Sequence, residues 1–370
     1  MAKAKLVEAE GVSVKEMDNN AVAKAMWSVF GKHPGLLDRT YDPFAHIIDT
    51  KMPSVNWIFG RTHGLPNACS MVIYGLQKAG KSLIANEFIA QLHKTDPKAW
   101  VLRYDSEFRA GLFYTSPLNK INGIDMERVV LLDGSNPVEL FDSIEKDLAT
   151  AQQLTNNCVK LVIIDSINAI QGRRGLDQES IEGQQMGDEA LTITTGLKRI
   201  TPVLKRYKVP LIVCAHVRAE MDQQKVKQTH SQIRLPLPHS AKHMFEYFVY
   251  VDECPGGKDK GAQIFSTSKT DMWGNPLQTG HKIRVKMAEC STGADGRTGI
   301  ITLDYKKGIC NLGEETAMLG VVTGVVNRPN NVMYEYGGFS WKGRDNFSEA
   351  IETDTALREQ MIKEIKLTDA

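Results

Sequence analysis

A strand, a glycine-rich loop and a helix follow one another directly near residue 75 of this 370-residue chain, and few folds accommodate that order. The apolar run Met71–Tyr74 leads into Gly-Leu-Gln-Lys-Ala-Gly-Lys-Ser at 75–82, and a helical pattern occupies 83–89. Gly75 and Gly80 let the backbone curl until several N–H groups and the helix N-terminus face one anion. The pattern therefore predicts a phosphate-binding loop at the end of a β-strand.

The spacing inside the loop predicts what its polar side chains bind. Lys81 would reach the β and γ oxygens of a nucleoside triphosphate, and the Ser82 hydroxyl would bind Mg²⁺. An ordinary glycine-rich turn without a ligand is the alternative. The residues predicted to contact the nucleotide are Gly75, Leu76, Gln77, Lys78, Ala79, Gly80, Lys81 and Ser82.

Two further strands end in carboxylates. Leu161–Ile164 is followed by Asp165, as expected for an acid that orients Mg²⁺, although a buried strand before an aspartate is common by itself. Trp100–Tyr104 leads to Asp105 and Glu107. We expect this strand to lie adjacent to the phosphate loop, where Glu107 would polarise a water for in-line attack on the γ-phosphate. Capping of the next helix by Asp105 or Glu107 is the alternative.

Short β-rich runs alternate with helical stretches from residue 54 to about residue 325. Such alternation predicts an α/β fold with a mostly parallel central sheet. A helix is predicted at 190–208. The predicted strands are Met71–Tyr74, Ala99–Tyr104, Val129–Leu132, Leu161–Ile164, Pro210–Ala215, Phe248–Val251, Gln263–Ser266, Lys282–Met287 and Ile300–Leu303.

Three regions are predicted along the chain. Residues 1–53 form an N-terminal arm, in which apolar residues recur at helical spacing after residue 20. This arm packs either on its own core or on a neighbouring subunit. Residues 54–325 form the core, and residues 326–370 form a small C-terminal domain or tail with a closing helix.

The composition excludes several classes of protein. The chain is 42% hydrophobic with 45 basic and 44 acidic residues, so disorder of the whole chain is excluded. The longest apolar runs are far shorter than the roughly 20 residues that span a bilayer, and no secretory signal is readable, so we expect a soluble, cytoplasmic protein. Six dispersed cysteines without a Cys-x-x-Cys pair disfavour zinc and disulfide frameworks and predict reduced, mostly buried thiols.

Taken in order, these segments resemble the RecA family of recombinases, and most closely the UvsX-type recombinases of tailed phages. The closer similarity lies in Tyr-Asp-Ser-Glu-Phe at 104–108, Gly-Ile-Asp-Met-Glu-Arg-Val at 123–129, Arg-Ile-Thr-Pro at 199–202 and Val-Pro-Leu-Ile-Val-Cys-Ala-His at 209–216. The resemblance extends from about residue 21 to 345. It implies a RecA-type core that uses ATP with Mg²⁺ and, for a phage protein, a place in the bacterial host cytoplasm.

The resemblance assigns roles to individual residues. Glu107 matches the catalytic glutamate, Lys81 matches the lysine of the nucleotide loop, and Asp165 matches the Walker B acid. Tyr114 matches the aromatic residue that stacks on adenine, and ordinary helix packing is its alternative. His216 matches the polar sensor of the γ-phosphate, whereas a lone buried histidine is more often a satisfied core residue.

One segment departs from the family's pattern. RecA-like recombinases place two basic residues, separated by one, against the neighbouring subunit's nucleotide. Lys269 fits the first of these positions and would act in catalysis, but Asp271 stands at the second. Activation across the interface would then depend on Lys269 alone, or the correspondence slips at this segment.

Two long segments without periodicity correspond to the family's DNA-binding loops. The first extends to Gly187 from Gly172, and the second from Arg218 to Lys242. Cationic loops of this kind would neutralise phosphates without reading bases, and Leu235–Pro238 could insert apolar wedges between bases. A solvated surface loop is the alternative. The basic residues predicted to contact DNA are Arg173, Arg174, Arg218, Lys225, Lys227, Arg234 and Lys242.

The resemblance implies an ATP-dependent recombinase that polymerises on single-stranded DNA into a helical filament and pairs it with homologous duplex DNA. DNA-stimulated ATP hydrolysis would reset the filament, and a mediator or loader and a single-strand-binding protein could be accessory partners. Two alternatives remain open. A ring-forming DnaB-like helicase would carry a larger N-terminal domain than the 50 or so residues before this core. A nucleotide-gated recombination mediator would not need hydrolysis.

Overall fold

The computed structural model describes residues 24, 26, 28 and 42 and the stretches 44–155, 158–169, 188–219, 233–254 and 263–369. Two compact units are distinguished, residues 1–42 and residues 43–370. In the first unit, Lys24, Met26 and Ser28 are helical, in the region where an N-terminal helix is predicted. The second unit contains the central sheet.

Short strands alternate with helices along the second unit. The strands are β1 Ile47–Ile48, β2 Leu65–Pro66, β3 Ser70–Gly75, β4 Trp100–Asp105, β5 Val129–Asp133, β6 Val159–Asp165, β7 Leu211–His216, β8 Arg218–Ala219, β9 Ile233–Arg234, β10 Tyr247–Glu253, β11 Gln263–Thr270, β12 Pro276–Cys290, β13 Thr298–Asp304, β14 Gly308–Cys310, β15 Met333–Tyr336 and β16 Phe339–Lys342. The helices are α1 Pro53–Ile58, α2 Lys81–Thr95, α3 Ala110–Thr115, α4 Pro117–Ile121, α5 Pro137–Thr155, α6 Asp188–Tyr207, α7 His239–Lys242, α8 Leu312–Val322, α9 Arg344–Thr353 and α10 Thr355–Leu367.

One large sheet has the strand order β14-β13-β12-β10-β3-β7-β6-β4-β5, and β11 pairs with β12. Among the described strands, β10, β3, β7, β6, β4 and β5 are parallel neighbours, whereas β12 pairs antiparallel with β10, β11 and β13. All nine predicted strands lie in this sheet, so the mostly parallel α/β fold is confirmed. The antiparallel extension was not predicted, because local sequence patterns do not specify the direction in which distant strands pair.

Helices cover both faces of the parallel strands. In β3, Met71 and Ile73 face the hydrophobic cluster that contains α2, while Val72 faces the cluster that contains α5 and α6. Successive residues of a strand point to opposite faces, so a strand covered on both faces is a continuous apolar run. This burial explains why Met71–Tyr74 and Leu161–Ile164 were recognisable as strands.

A third, smaller cluster lies toward the C-terminal end of the chain. It joins α8 to the hairpin of β15 and β16 and to helices α9 and α10. Within it, Tyr334 stacks on Phe347 with ring centroids 5.1 Å apart. The segment 326–370 thus shares its hydrophobic core with a helix that begins at Leu312.

None of the helices in the described ranges is long and apolar enough to cross a lipid bilayer. All six cysteine thiols are unpaired, but only Cys214 is buried and the other five are half-buried. The expectation of mostly buried thiols is therefore wrong. The reason is positional, since those five residues stand at or beside strand ends, where the sheet meets solvent.

Candidate nucleotide site and nucleic-acid interface

The carboxyl ends of four parallel strands bring the predicted site residues together. Gly75 at the end of β3 lies opposite His216 of β7, and Asp105 at the end of β4 lies opposite Asp165 of β6. This end of an open α/β sheet is where ligands bind. One expectation is wrong, because β7 and β6 separate β4 from the strand of the phosphate loop. Glu107 nevertheless reaches the site through the turn after β4.

The two glycines of the loop are required by how closely it approaches the sheet. A Cβ atom on Gly75 would lie 2.0 Å from the carbonyl oxygen of Val251 in β10. Gly80 has a φ of +100°, and a Cβ atom there would lie 2.8 Å from Cδ1 of Ile283. Another residue would clash at the first position and be strained at the second.

Lys81 is buried at the base of the loop, with 5% of its surface exposed. Its Nζ donates hydrogen bonds to the carbonyl oxygens of Gly75 at 3.1 Å and Leu76 at 2.7 Å. Burial lowers the pKa of Lys81, and the nearby carboxylates of Asp165 and Glu107 act in the opposite direction. The ammonium group is thus held where its charge would face an anion in the loop.

Ser82 and Asp165 form a pair of oxygen ligands that fits Mg²⁺. The Ser82 hydroxyl donates to Oδ2 of Asp165 at 2.8 Å, which leaves the lone pairs of Ser82 Oγ for a metal ion. Mg²⁺ is usually bound by one or two protein oxygens together with phosphate and water ligands. No group of three or more His, Cys, Asp or Glu side chains suited to a metal occurs in the described ranges. A metal bound here would therefore need further ligands from phosphate or water.

Glu107 makes three polar contacts. Its Oε1 accepts a hydrogen bond from Ser166 Oγ at 2.6 Å and lies 2.8 Å from His216 Nε2, and its Oε2 pairs with Arg109 Nη2 at 3.1 Å. Partial burial raises the pKa of Glu107, but hydrogen bonds from Ser166 and His216 and the charge of Arg109 outweigh it and hold the pKa below its usual value. The carboxylate is therefore ionised at neutral pH, as a general base must be.

Helix capping, the alternative role of Asp105 and Glu107, does not occur. Asp105 accepts the backbone N–H of Glu107 at 2.9 Å, and Glu107 contacts Ser166 and His216. The residue that caps α3 is Arg109, whose side chain makes no capping hydrogen bond. Both carboxylates instead line the cleft beside the phosphate loop.

His216 connects Glu107 to the end of β7. Its Nε2 lies at hydrogen-bond distance from Glu107, whereas its buried Nδ1 has no hydrogen-bond partner within the part of the chain that the structure describes. Its backbone N–H donates to Oδ1 of Asn168. A satisfied core histidine would have a partner on each ring nitrogen. His216 is therefore not an ordinary core residue.

A cleft of about 250 Å³ opens beside the loop. Tyr114 lies on α3 next to this cleft, 41% exposed, with its ring edge-on to Phe113 at a centroid distance of 5.8 Å. Helix packing does not account for so exposed a ring, and stacking on adenine stays a prediction. The lining of the cleft includes Ser82, Asn86, Arg103, Glu107, Phe113 and Asp165.

Two short strands frame the second predicted DNA loop. Arg218 of β8 pairs with Arg234 of β9 in antiparallel register, and both side chains are exposed beside a cavity of about 280 Å³. Like charges directly opposite one another repel, so an anion between them would relieve this repulsion. Lys242 ends α7 and is half-buried. The other predicted contacts, Arg173, Arg174, Lys225 and Lys227, lie outside the described residues.

Leu237 is not placed to act as a wedge between bases. It is 5% exposed and packs in the hydrophobic cluster with α6, and Leu235 is half-buried against the same cluster. Burying a leucine side chain stabilises a fold by roughly 1.5–3 kcal/mol, which insertion into DNA would forfeit. The suggestion of wedges from Leu235–Pro238 is therefore wrong for its leucines.

The departure at Asp271 has a local structural cause. Its carboxylate accepts hydrogen bonds from the backbone N–H of Trp273 at 2.8 Å and of Asn275 at 2.9 Å, and from Asn275 Nδ2 at 3.0 Å. These bonds shape the turn between β11 and β12, and a basic side chain could not accept them. Lys269 is exposed on β11, and its role across a subunit interface stays a prediction.

Three residues of the cleft were not predicted. Ser166 and Arg109 contact Glu107, and Arg103 forms an ion pair with Asp165. A usable signal existed for Arg103, because a charged residue inside the apolar run of β4 must have a partner when buried. No local pattern marked Ser166 or Arg109, whose partners depend on how the strand ends meet.

Comparison with known proteins agrees with this architecture. The family model described as the RecA N-terminal domain matches residues 44–225. A protein named Protein RecA from Mesomycoplasma hyopneumoniae is 24% identical over 315 residues, which are 82% of this chain and 81% of the relative. Protein RecA from Mycoplasma mobile is 20% identical over 346 residues, 91% of this chain and 92% of the relative. Similarity to UvsX-type proteins in particular stays a prediction. The chain belongs to the RecA family of recombinases.

Proposed function

We propose that this chain is an ATP-hydrolysing recombinase of the UvsX type, which assembles on single-stranded DNA and pairs it with homologous duplex DNA. One observation carries the proposal. Glu107, the candidate general base, contacts His216 at the end of β7, and β7 leads directly into β8, where Arg218 lies opposite Arg234. A short path of bonded groups thus joins the hydrolytic carboxylate to the base of a predicted DNA loop.

The loop at 75–82 would hold the nucleotide. Its backbone N–H groups and the N-terminus of α2 attract phosphate oxygens. Lys81, whose Nζ is bonded to loop carbonyls, would turn toward the β and γ oxygens. Bound Mg²⁺ would neutralise charge on these phosphate oxygens. Ser82 and Asp165 would hold the metal, and Tyr114 would stack on adenine.

Glu107 would accept a proton from the attacking water. Its Oε1 already contacts Ser166 and His216, whereas its Oε2 pairs with Arg109, whose side chain is 62% exposed. Oε2 is therefore the oxygen that a water molecule can reach. General-base catalysis of this kind contributes about 10²–10⁴-fold to a rate.

The response to DNA would follow from the contact between His216 and Glu107. His216 can keep this contact or turn toward a γ-phosphate, and the two arrangements would place the end of β7 differently. Arg218 lies two residues further along the chain and would move with it. The DNA loops would then bind the phosphate backbone in one arrangement and release it in the other.

Filament assembly needs two unlike surfaces on each subunit. We propose that the arm formed by residues 1–53 packs on the neighbouring core, residues 54–325, and that Lys269 reaches the neighbour's nucleotide. Residues 326–370 would form a small C-terminal domain. A loader and a single-strand-binding protein would be accessory partners that help the filament to form.

ATP hydrolysis measured with and without single-stranded DNA, with electron microscopy of the same mixtures, tests the proposal. We expect DNA to increase turnover and open helical filaments to form. Replacing Arg218 and Arg234 together by Ala should lower single-strand affinity. The slope of log affinity against log salt should decrease in magnitude by about 2, because each lost phosphate contact contributes about 1.

Two variants serve as controls. Lys81→Ala should abolish turnover, and joint replacement of the exposed Lys306 and Lys307 by Ala removes the same charge away from the loops and should leave the salt slope unchanged. Turnover that ignores DNA would contradict the proposal. Closed hexameric rings would favour a DnaB-like helicase, and strand pairing that survives in Glu107→Gln would favour a nucleotide-gated mediator.

A further inference from the structure

A buried arginine occupies the side of the cleft where the metal ligands lie. Arg103 stands in the middle of β4, is 6% exposed, and has buried residues on both sides in the strand, Leu102 and Tyr104. A buried charge is costly unless it is paired and hydrogen-bonded. The partners of Arg103 all line the nucleotide cleft.

The guanidinium group of Arg103 makes three contacts at once. Its Nη2 donates to Oδ2 of Asp165, the same oxygen that accepts the hydrogen bond from Ser82 Oγ. Its Nη1 donates to Oδ1 of Asn86 at 2.8 Å. Its central carbon lies 4.9 Å from the ring centroid of Phe113. One planar group thus connects the metal-binding acid, the helix after the phosphate loop, and α3.

Arg103 and a divalent metal ion would compete for the same carboxylate. Asp165 carries one negative charge, and Arg103 neutralises it at hydrogen-bond distance. A neighbouring positive charge lowers the affinity of a carboxylate for a proton by about 10- to 1000-fold. The same charge repels a metal ion, while the guanidinium offers phosphate groups a cation that is present without any metal.

We propose that Arg103 is a positioning residue that shares Asp165 with Mg²⁺ and thereby sets how strongly nucleotide binding depends on the metal. Without metal, Arg103 holds Asp165 and Asn86 in place and contributes positive charge to the cleft. With metal, it raises the Mg²⁺ concentration at which the site is half occupied. This inference rests on the proposed ATP site and concerns one residue within it.

Equilibrium binding of N-methylanthraniloyl-labelled AMP-PNP to the full-length protein tests the inference. Fluorescence anisotropy would be recorded in EDTA and across a Mg²⁺ titration. Arg103→Met, which keeps a long side chain and removes the charge, should lower the Mg²⁺ midpoint about tenfold and weaken binding in EDTA. Arg103→Lys keeps the charge but cannot span Asp165 and Asn86 with two nitrogens, so its midpoint should lie between those of the other two proteins.

Arg109→Met is the matched control, because it removes a guanidinium from the same cleft that contacts Glu107 and not Asp165. Its Mg²⁺ midpoint should equal that of the unsubstituted protein. An unchanged or higher midpoint in a folded Arg103→Met variant overturns the inference. If that variant does not fold, Arg103→Lys decides, and a midpoint equal to that of the unsubstituted protein overturns it. Failure of the unsubstituted protein to bind the analogue would instead contradict the ATP site.

Discussion

At the scale of single residues, the two carboxylates of the cleft differ because different donors reach them. Glu107 is kept ionised by hydrogen bonds from Ser166 and His216, whereas Asp165 is neutralised by Arg103. Different surroundings are what allow neighbouring carboxylates to take different roles. Here they suit Glu107 to accept a proton and Asp165 to orient a metal.

Removing the Ser166 hydroxyl should change the pH dependence of ATP hydrolysis. The pKa of Glu107 is lowered by Ser166 together with His216 and Arg109, against partial burial. Ser166→Ala should therefore raise this pKa, and turnover should fall at a higher pH on the acid side than in the unsubstituted protein. The measurement is kcat at saturating ATP and single-stranded DNA across pH 5–8. Replacing the exposed Ser291 by Ala is the control, and coincident acid limbs in all three proteins would contradict the role of Ser166.

At the scale of elements, α5 and α6 approach closely where α6 has a glycine. A Cβ atom on Gly196 would lie 2.0 Å from Cδ2 of Phe141, a buried ring that cannot move aside freely. Gly196→Ala should therefore lower the free energy of unfolding by about 1–3 kcal/mol, despite alanine's higher helix propensity. The measurement is urea denaturation followed by circular dichroism.

Gly111→Ala is the matched control for this helix contact. Gly111 lies in α3, and a Cβ atom there would meet no heavy atom within 4 Å. The substitution should be neutral or stabilise the protein by up to about 1 kcal/mol, because it reduces the entropy of the unfolded chain. Equal destabilisation by the two substitutions would show that close packing at Gly196 is not the cause.

At the scale of the whole molecule, α8 contacts α1 as well as α9 and α10 of the C-terminal cluster. Glu315 on α8 is buried, and its Oε1 accepts the backbone N–H of Ser54 in α1. Its Oε2 has no hydrogen-bond partner among the residues described. Burial raises the pKa of Glu315 to about 8. The contact between these helices therefore involves a neutral carboxylic acid at physiological pH.

Protein stability should accordingly decrease with pH through Glu315. Its pKa is about 8 in the folded protein and has its ordinary value of 4.5 in the unfolded chain. Between these values the folded state binds more protons, so the free energy of unfolding falls as pH rises. The contribution is complete below pH 4.5 and is lost as pH approaches 8. Glu315→Gln removes this titration and keeps the side-chain shape.

Urea denaturation of both proteins from pH 5 to pH 8.5 measures this effect. The stability of Glu315→Gln relative to the unsubstituted protein should increase with pH and level off above about pH 8. Comparing the two proteins cancels the titration of other groups such as His93, whose pKa burial lowers to about 4. Parallel pH curves would show that Glu315 does not titrate in this range.

Local sequence was sufficient to predict the nine core strands and the phosphate loop. A strand buried on both faces is a continuous apolar run, and a loop that wraps an anion needs glycine at fixed positions, so both leave a pattern in a few consecutive residues. The helix predicted at 190–208 is observed at Asp188–Tyr207 although Pro202 lies inside it. The expectations that proved wrong concerned relations between distant segments, such as β4 lying beside the phosphate-loop strand.

The chain by itself determined which residues end each strand, because those positions follow from apolar runs and the loops that interrupt them. Only the tertiary structure decided which strand ends became neighbours. His216 and Glu107 are 109 residues apart, and Arg103 and Asp165 are 62 apart, yet each pair lies within hydrogen-bond distance. Strand order sets these contacts, and it results from burying all the apolar faces together, which no short segment of sequence specifies.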